Sequence, residues 1–429
     1  MDVAALDELG RQVIDWRFKG FPATVHGRTV AELVAARPAL SELTTPLMVL
    51  DAAALEHNVA TMADYCAANG VDLAPHGKTT MAPQLFRRQL DAGSWGITAA
   101  TIAHVRAYRA FGVPTVLLAN QIVDPDALGW LAAELKRDPG FRFLCFADSV
   151  AGVGQMQAAL AAHDAPRPID VVIDVGAPGA RTGVRTPESG LEVALAIQAA
   201  DRLRLVGVGG FEGAIGRDRS AEDLAAVRAF LQSIRDLAVR LDHAGLFRQA
   251  DEIILTAGGS AYFDDVVEIF AHDWADATAP IRRVLRSGAY ITHDDGHYTA
   301  VTPFQTDGPG SKQFHAALRI RGRVLSMPEP GLALLDFGKR DAPIDIGLPV
   351  PLSYRDGIPA RNIGMGIKAL ADQHAFLTYE VPADQTEAPL AVGDIVVCGI
   401  SHPCTAFDKW QLIPVVEDGR VVDVIRTFF

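Results

Sequence analysis

The residues best suited to chemistry are His76 and Lys78, which follow a short apolar run in the segment VDLAPHGKTT at 71–80. A lysine at the end of a buried strand loses solvation unless it is paired or neutral, and a neutral lysine is a nucleophile for aldehydes. Lys78 could therefore form a Schiff base. The alternative is a salt-bridged lysine, which is the commoner arrangement at strand ends.

Two glycine turns later in the chain are suited to binding an anion. TAGGSAYF contains Gly258 and Gly259, which let the backbone approach a ligand, and Ser260 is expected to open the next helix with a free hydroxyl. RSGAY contains Gly288. Either motif alone could be only a tight turn, but together they fall after the seventh and eighth apolar runs, where barrel enzymes bind phosphate.

Further polar residues follow other apolar runs of the chain. They could face a ligand, or they could form an ordinary network at the rim of the fold, and the sequence leaves both possibilities open. The residues are Asn120, Gln121, Asp174, Arg181, Thr182 and Glu212.

These residues require a scaffold in which strands alternate with helices. Short apolar or β-branched runs alternate with segments of helical period, such as 101–112, 124–137 and 220–245. Such alternation predicts an α/β fold with parallel strands, and eight strands are the number that closes a (β/α)₈ TIM barrel. The rival, an open doubly wound sheet, lacks its glycine fingerprint here. The eight runs are 71–76, 95–100, 114–120, 142–148, 169–175, 203–211, 252–258 and 282–288.

After about residue 290 the chain contains strand-like runs without intervening helices, which predicts a C-terminal all-β domain at 289–429. The barrel is expected to occupy 45–288, although the strand at 45–51 could belong to the β domain. Residues 1–44 are expected to form a segment that packs partly on the β domain. The predicted β runs are 315–327, 332–338, 375–381, 393–400 and 410–429.

Composition excludes several classes of protein. The 429 residues include 39 Lys and Arg against 52 Asp and Glu, a net charge of −13, so a nucleic-acid backbone would be repelled. No apolar run approaches the ~18 residues of a membrane span, and the acidic amino terminus is unlike a signal peptide, so we expect a cytoplasmic protein. The cysteines show no CxxC spacing and are predicted to be thiols or metal ligands: Cys66, Cys145, Cys398 and Cys404.

Five motifs together resemble the fold-type III pyridoxal-phosphate enzymes, and most closely the D-serine dehydratase and D-threonine aldolase family. They are PHGKT, DVGAPGARTGV, TAGGS, SGAY and SHPC, spread over residues 45 to 425. The resemblance implies that Lys78 holds the aldehyde of pyridoxal 5'-phosphate and that His76 is a catalytic neighbour. The cofactor-binding residues that it implies are Lys78, Arg181, Thr182, Gly258, Gly259, Ser260, Gly288 and Tyr290.

The segment SHPCTAFDKW adds a candidate metal site. His402 and Cys404 are two positions apart, so on a strand they would share one face, and nitrogen with sulfur favours zinc. Spacing alone favours a buried cysteine beside a satisfied histidine. The resemblance implies a metal instead, because dehydratases of this family carry His-x-Cys and aldolases usually carry His-x-Asp. Zinc is expected, with manganese or magnesium as alternatives.

Several other polar residues have two possible roles. His374 lies where the family tends to place a histidine after an acidic residue, but Gln373 occupies the acidic position, so a core histidine is an equal alternative. His293 and His297 lie in a polar cluster that is either a solvated turn or a substrate-recognition element. Arg217 and Arg219 could pair with a substrate carboxylate, although exposed arginines seldom have so specific a role.

The resemblance implies a metal-dependent lyase acting on a D-3-hydroxyamino acid. Dehydration of D-serine or D-threonine to a 2-oxo acid and ammonia is the first expectation, and retro-aldol cleavage to glycine and an aldehyde is the alternative. An amino-acid racemase and a non-catalytic pyridoxal-phosphate protein are further alternatives. The partner is expected to be a small amino acid, not nucleic acid or membrane, and the family implies a homodimer.

Overall fold

The computed structural model describes residues 1–272, 274–304, 313–355, 357–381 and 389–429. The chain divides into two units. The barrel unit comprises Met1–Asp2, Met62–Lys78 and Gln89–Gly288, and the β unit comprises Val3–Thr61, Thr79–Arg88 and Ala289–Phe429. The chain leaves the barrel unit for the last time after Gly288 and continues in the β unit from Ala289.

The amino-terminal region contains helices α1 (Val3–Leu9) and α2 (Val30–Ala36), strand β1 (Leu47–Asp51) and helix α3 (Ala52–Asn69). Helix α2 begins with a capping box, in which Thr29 Oγ1 accepts a hydrogen bond from Glu32 N at 3.2 Å and Glu32 Oε2 accepts one from Thr29 N at 2.7 Å. Apolar residues of this region, including Ile14 and Leu33, share a core with Leu412 and Val421. The amino-terminal segment is thus packed within the β unit.

The next region alternates strands and helices as the apolar periodicity predicts. Its helices end where glycine, polar or extended residues interrupt the period. The strands are β2 (Asp72–Leu73), β3 (Ile97–Ala99), β4 (Thr115–Leu118), β5 (Arg142–Ala147), β6 (Ile169–Val175), β7 (Leu203–Gly210), β8 (Ile253–Ala257) and β9 (Ile281–Leu285). The helices are α4 (Pro83–Asp91), α5 (Ile102–Ala110), α6 (Pro125–Arg137), α7 (Val150–Ala162), α8 (Pro187–Ala199), α9 (Ala221–His243) and α10 (Phe263–Phe270).

The eight strands form one parallel sheet in the order β2-β9-β8-β7-β6-β5-β4-β3. The two ends of this order meet, because Trp95 N donates to Leu73 O at 2.7 Å and Thr98 N donates to Pro75 O at 2.9 Å. One apolar cluster, including Leu144, fills the interior with side chains from most of the strands. The predicted (β/α)₈ TIM barrel is therefore confirmed.

The remaining elements are almost all antiparallel strands. They are α11 (His297–Val301), β10 (Leu318–Glu329), β11 (Leu332–Leu335), β12 (Val350–Tyr354), β13 (Ile358–Pro359), β14 (Gly366–Leu370), β15 (Ala375–Thr378), β16 (Ile395–Gly399), β17 (Leu412–Glu417) and β18 (Arg420–Arg426). The main path of the sheet is β13-β12-β16-β10-β1-β17-β18. Strand β1 lies antiparallel to β10 and parallel to β17, so an early strand completes the predicted all-β domain.

Three strands of this domain, β12 to β14, were not predicted. The segment 350–370 contains Pro351, Pro359 and three glycines, which are residues typical of turns and sheet edges. Its pairing with β16 and β15 in the structure overrides that local signal. Within the described ranges, no helix has both the length and the apolar character needed to cross a bilayer.

A buried charge network ties α5 to α6 in the barrel unit. Arg109 has 4% of its side chain exposed, and its Nε lies 2.6 Å from Glu134 Oε1 while its Nη2 lies 2.6 Å from Asp138 Oδ2. Its Nη1 also donates to Val113 O at 2.6 Å. Removal of the guanidinium would leave Glu134, which is 7% exposed, without its buried partner.

We expect Arg109→Met to lower the free energy of unfolding by about 3 kcal/mol, because the buried carboxylate of Glu134 would lose its buried counter-charge and keep only that of Arg137, which is 64% exposed. The matched control is Arg11→Met, since Arg11 is 80% exposed in its pair with Glu8. This control should change stability by less than about 1 kcal/mol. Urea denaturation followed by tryptophan fluorescence measures both, and equal losses in the two variants would contradict the role of Arg109.

Candidate functional site

A cavity of about 360 Å³ opens at the carboxyl ends of the barrel strands. This is the end of a TIM barrel where ligands bind, because the loops that follow the strands meet there. The polar and aromatic residues that line it are His76, Lys78, Asn120, Phe146, Asp174, Arg181, Thr182, Phe211, Phe230 and Arg286. Besides His76 and Lys78, four of these were named from the sequence because they follow predicted strands: Asn120, Asp174, Arg181 and Thr182. The three phenylalanines and Arg286 were not predicted.

The segment around Lys78 reaches the cavity because its backbone packs closely against α5. Lys78 lies in a short 3-10 helix at Gly77–Thr79 that follows β2, and both His76 and Lys78 line the cavity. A Cβ atom at position 77 would lie 2.6 Å from Tyr108 Oη and 2.8 Å from Ile97 Cγ2. Only glycine therefore fits between His76 and Lys78 in this conformation.

His76 presents a neutral imidazole to the cavity. Burial lowers the pKa of His76 well below its ordinary value, and the nearby positive charges of Lys78 and Arg286 lower that pKa further. Its Nδ1 atom is buried and has no hydrogen-bond partner in the part of the chain that the structure describes. A buried polar atom without a partner, facing a cavity, is suited to contact a polar ligand.

Arg286 is a cavity residue that the sequence analysis missed. It is 3% exposed, its Nη1 donates to Thr256 Oγ1 at 2.8 Å, and its Nη2 donates to Gly210 O at 2.5 Å. Burial lowers the pKa of Arg286, whereas the charges of Glu212 and Asp174 raise it. The Nε atom has no partner among the described residues. Its position directly after the eighth strand, before the SGAY turn, is the signal that could have identified it.

The sequence left open whether the polar residues after β4 and β6 face a ligand or form a network at the rim, and the structure shows both arrangements. Asp174 accepts hydrogen bonds from Thr182 Oγ1 at 2.8 Å and from Gln121 Nε2 at 3.0 Å, and burial raises its pKa. Asp174 and Thr182 thus belong to a rim network and also line the cavity. Arg181 lines it as well, with its guanidinium carbon 4.7 Å from the centroid of the Phe211 ring.

The two predicted glycine turns lie side by side. Ser287 Oγ donates to Gly258 O and to Gly259 O, each at 3.1 Å. A Cβ atom at Gly288 would lie 2.6 Å from His76 O, so this glycine allows the last and first strand ends to approach. The structure therefore brings together the two turns that the sequence assigned to an anion.

An acidic side chain already contacts one of these turns. Glu212 is fully buried, and its carboxylate accepts hydrogen bonds from Gly258 N at 3.0 Å and from Gly259 N. The assignment of these amides to a phosphate remains a prediction. Ser260 does not open the next helix as expected, because α10 begins at Phe263 and Ser260 lies in the preceding turn.

Tyr290 belongs to the β unit. It lies in a 3-10 helix at Ala289–Ile291, is 2% exposed, and its ring centroid is 5.9 Å from that of Phe314. Its assignment to the cofactor remains a prediction.

The predicted metal ligands form a small polar cluster in the β unit. His402 Nδ1 lies 2.7 Å from Asp345 Oδ2, and Thr405 Oγ1 donates to Asp345 Oδ1 at 2.7 Å. Burial lowers the pKa of His402, but hydrogen bonds to Cys404 and Asp345 raise it to about 9. The segment Pro403–Thr405 is a 3-10 helix instead of a strand, yet it still brings the two side chains into contact.

This donor set fits a soft divalent ion only in part. An imidazole held by a carboxylate through one nitrogen is the usual form of a zinc-binding histidine, and a thiolate is a common partner. Among the described residues, however, no group of three or more His, Cys, Asp or Glu side chains is placed to enclose an ion. Asp345 was not predicted, since it lies 57 positions from His402 in the sequence.

The cluster at 293–297 is not a solvated turn. His293 is 5% exposed and Asp294 is 1% exposed. The Asp294 carboxylate accepts hydrogen bonds from the amides of Gly296 and Tyr298 at 3.0 and 2.9 Å, so it orders the start of α11. His297 places its ring centroid 6.1 Å from that of His402.

Three other candidates lie outside the cavity: His374, Arg217 and Arg219. His374 is exposed, so it is not the core histidine that the sequence allowed. Arg219 Nη2 lies 2.6 Å from Asp264 Oδ2, and its Nη1 donates to Ala261 O at 2.6 Å. Arg219 is therefore engaged within the barrel unit, and at Arg217 the backbone amide donates to Asp223 Oδ2 at 2.6 Å.

The buried imidazole of His293 predicts a pH dependence of stability. Burial, and then the charge of His315, lower the pKa of His293 to about 4, against about 6.5 for an unfolded histidine. Below pH 6.5 the unfolded chain binds a proton that the folded chain does not bind, so stability falls as the pH falls toward 4.

We expect wild type to lose about 1 to 2 kcal/mol more unfolding free energy than His293→Asn between pH 7 and pH 5. Asparagine is chosen because residue 293 has φ of +46°, which asparagine tolerates. The control, His374→Asn, replaces an exposed histidine of the same unit and should keep the wild-type dependence. Urea unfolding at each pH measures the difference, and parallel pH curves for wild type and His293→Asn would contradict the prediction.

Both units of the chain have counterparts among known proteins. The model of the alanine racemase N-terminal domain matches residues 50–251, and that of the "Putative serine dehydratase domain" matches residues 317–416. A 3-hydroxy-D-aspartate aldolase of Paracoccus denitrificans (strain Pd 1222) is 30% identical over 312 residues, which is 72% of this chain and 76% of that protein. A D-threonine aldolase of Arthrobacter sp. is 27% identical over 388 residues, 90% and 92% of the two chains.

A solved structure shares the whole fold. The D-threo-3-hydroxyaspartate dehydratase from Delftia sp. HT23 superposes with a TM-score of 0.72 and 21% identity, covering 91% of this chain and 99% of that one. Two further solved structures are of D-threo-3-hydroxyaspartate dehydratase variants, one with alanine in place of a histidine and the other, in a metal-free form, with alanine in place of a cysteine two positions further on.

The barrel with a lysine after its first strand, followed by an antiparallel β domain, defines a fold-type III pyridoxal-phosphate enzyme. The chain belongs to the D-serine dehydratase and D-threonine aldolase family of these lyases. The resemblance noted in the sequence is thereby confirmed.

Proposed function

We propose that this protein is a pyridoxal-phosphate-dependent and metal-dependent dehydratase of a D-3-hydroxyamino acid. The observation that carries the proposal is the cavity in which Lys78, a neutral His76 and the buried Arg286 meet at the mouth of the barrel. The names of the relatives support the substrate class, since two are aldolases and one is a dehydratase of D-hydroxyamino acids.

The residues of the cavity fit the cofactor. Lys78 would hold its aldehyde carbon, and the unpartnered Nδ1 of His76 and Nε of Arg286 are available to its polar atoms. Bound pyridoxal phosphate supplies an electron sink for the charge left when a bond to the substrate Cα breaks. The turns at Gly258–Gly259 and Gly288 would hold the phosphate, and Tyr290 would complete the set that the family implies.

Three residues of the cavity would have distinct roles toward the substrate. Lys78, once its amine is free, would take the proton from Cα, because no other side chain of the cavity combines a basic amine with that position. His76 is neutral at physiological pH, so it can both accept and donate a hydrogen bond. Arg286 stays protonated and can only donate, which makes it an orienting group and not a base.

Dehydration is favoured over retro-aldol cleavage by the segment that contains Cys404. The variant positions of the D-threo-3-hydroxyaspartate dehydratase structures are a histidine and a cysteine two apart, the same spacing as His402 and Cys404. A zinc ion held there would act as a Lewis acid on a hydroxyl group. Loss of the Cα proton and the β-hydroxyl, followed by hydrolysis of the enamine, yields a 2-oxo acid and ammonia.

Retro-aldol cleavage is the second candidate, favoured by the two relatives named aldolases. The test is to incubate the purified protein with D- and L-3-hydroxyamino acids, with and without EDTA, and to measure oxo acid, glycine and enantiomer separately. Dehydration predicts oxo acid from D-substrates only. Glycine in place of oxo acid would identify an aldolase, and the opposite enantiomer formed regardless of EDTA would identify a racemase.

Lys78→Ala should reduce turnover by about three orders of magnitude or more, because both the covalent attachment and the base are lost. It should also lose the absorbance band of lysine-bound pyridoxal phosphate. Lys136→Ala is the control, since Lys136 lies on the outer helix α6 and does not line the cavity. Full turnover by Lys78→Ala would refute the proposed chemistry.

Cys404→Ala should weaken zinc binding by at least about 10-fold, because the soft ligand is removed while His402 and Asp345 remain. Metal content after dialysis against a zinc buffer measures this loss, and chelation of wild type should abolish oxo-acid formation. Cys398→Ala is the control, since Cys398 is a buried cysteine of the same unit. Equal zinc retention by both variants would exclude Cys404 as a ligand.

A further inference from the structure

A second cavity, of about 480 Å³, lies within the β unit. One wall is formed by the segment 40–47, which precedes and enters β1, and the other by β10 and the start of β16. It shares no lining residue with the cavity that contains Lys78. None of the cofactor or metal candidates lines it.

The cavity concentrates positive charge in an otherwise acidic protein. Its lining includes Arg321, Arg323, Arg355 and a single carboxylate, Asp394, which gives a net charge of +2. The whole chain has a net charge of −13. Arg321 and Arg323 are two positions apart on β10, so the pleat directs both side chains to the same face of the sheet.

Two of the three arginines have no acidic partner in the part of the chain that the structure describes. Arg355 Nε lies 2.7 Å from Asp394 Oδ2, so this pair is neutralised. Neither Arg321 nor Arg323 has a carboxylate oxygen within 4.0 Å in the described ranges. Among the described residues, the hydrogen-bond acceptors of their guanidinium groups are backbone oxygens, that of Leu40 at 3.4 Å for Arg321 and that of Gly393 at 2.9 Å for Arg323.

The Arg321 guanidinium is also incompletely hydrogen-bonded. Its Nε is buried and has no partner among the described residues. Burial lowers the pKa of Arg321, and the neighbouring charge of Arg323 lowers it further. Two adjacent like charges at the edge of a cavity raise the free energy of the folded state unless an anion neutralises them.

We propose that this cavity binds a phosphate group, either as inorganic phosphate or as a small phosphomonoester. A phosphate carries about −1.5 to −2 charges near neutral pH, which matches the excess of +2. The planar guanidinium forks of two arginines suit bidentate contacts to its oxygens. The hydroxyl of Ser41 also lines the cavity and offers a further donor. The proposal is independent of the lyase reaction.

Isothermal titration with inorganic phosphate tests this site, using enzyme saturated with zinc and pyridoxal phosphate. In that enzyme the cofactor site is already occupied, so the added phosphate cannot bind there. We expect one phosphate per chain, and at least 10-fold weaker binding for Arg321→Gln and for Arg323→Gln. Arg323 is exposed, so its variant should fold even if Arg321→Gln does not. Arg340→Gln is the matched control, because Arg340 is 70% exposed and lies outside the cavity.

The remaining titrations identify the source of the phosphate. Tighter binding of glycerol phosphate than of inorganic phosphate would indicate a phosphomonoester, and the reverse order would indicate free phosphate. Wild-type affinity in the Arg323→Gln variant would overturn the proposal. So would the absence of phosphate binding to wild type, or binding of malonate in preference to both phosphate ligands.

Discussion

The mouth of the barrel depends on the balance of charges that are buried there. Arg286 carries its charge at 3% exposure, and the carboxylates of Glu212 and Asp174 offset the cost of that burial. Glu212 in turn is satisfied by the amides of Gly258 and Gly259. Because Arg286 and Glu212 are held by strand-end backbone and by opposite charges, these two side chains are positioned before any ligand arrives.

Close contacts around the first strand end, with α5 at Gly77 and with the last strand end at Gly288, complete this arrangement. Gly77 and Gly288 occupy positions where a Cβ atom would lie 2.6 Å from a neighbouring oxygen. Ser287 then joins the two glycine turns through the carbonyls of Gly258 and Gly259. Closure of the eight-stranded sheet is therefore what places the lysine segment beside the turns assigned to phosphate.

In the β unit, too, the pairing of strands brings distant segments of the chain together. Strand β1 inserts between β10 and β17, and the amino-terminal apolar residues share their core with Leu412 and Val421. The segment that leads into β1 also forms a wall of the arginine-lined cavity. A strand that is distant in sequence thus both completes the sheet and creates the second candidate binding site.

The sequence by itself determined the barrel, the β domain and most of the residues at the cavity, because periodicity and strand-end positions are local properties. It also identified Lys78 and His76 as neighbours, since only Gly77 separates them. The tertiary structure alone decided which groups are partners: Arg286 with Gly210, Glu212 with Gly258, and Asp345 with His402 are separated by 76, 46 and 57 positions. Such hydrogen bonds depend on which strand ends and loops the folded sheets bring together. The apolar periodicity of a single strand does not specify which distant residues will lie beside it.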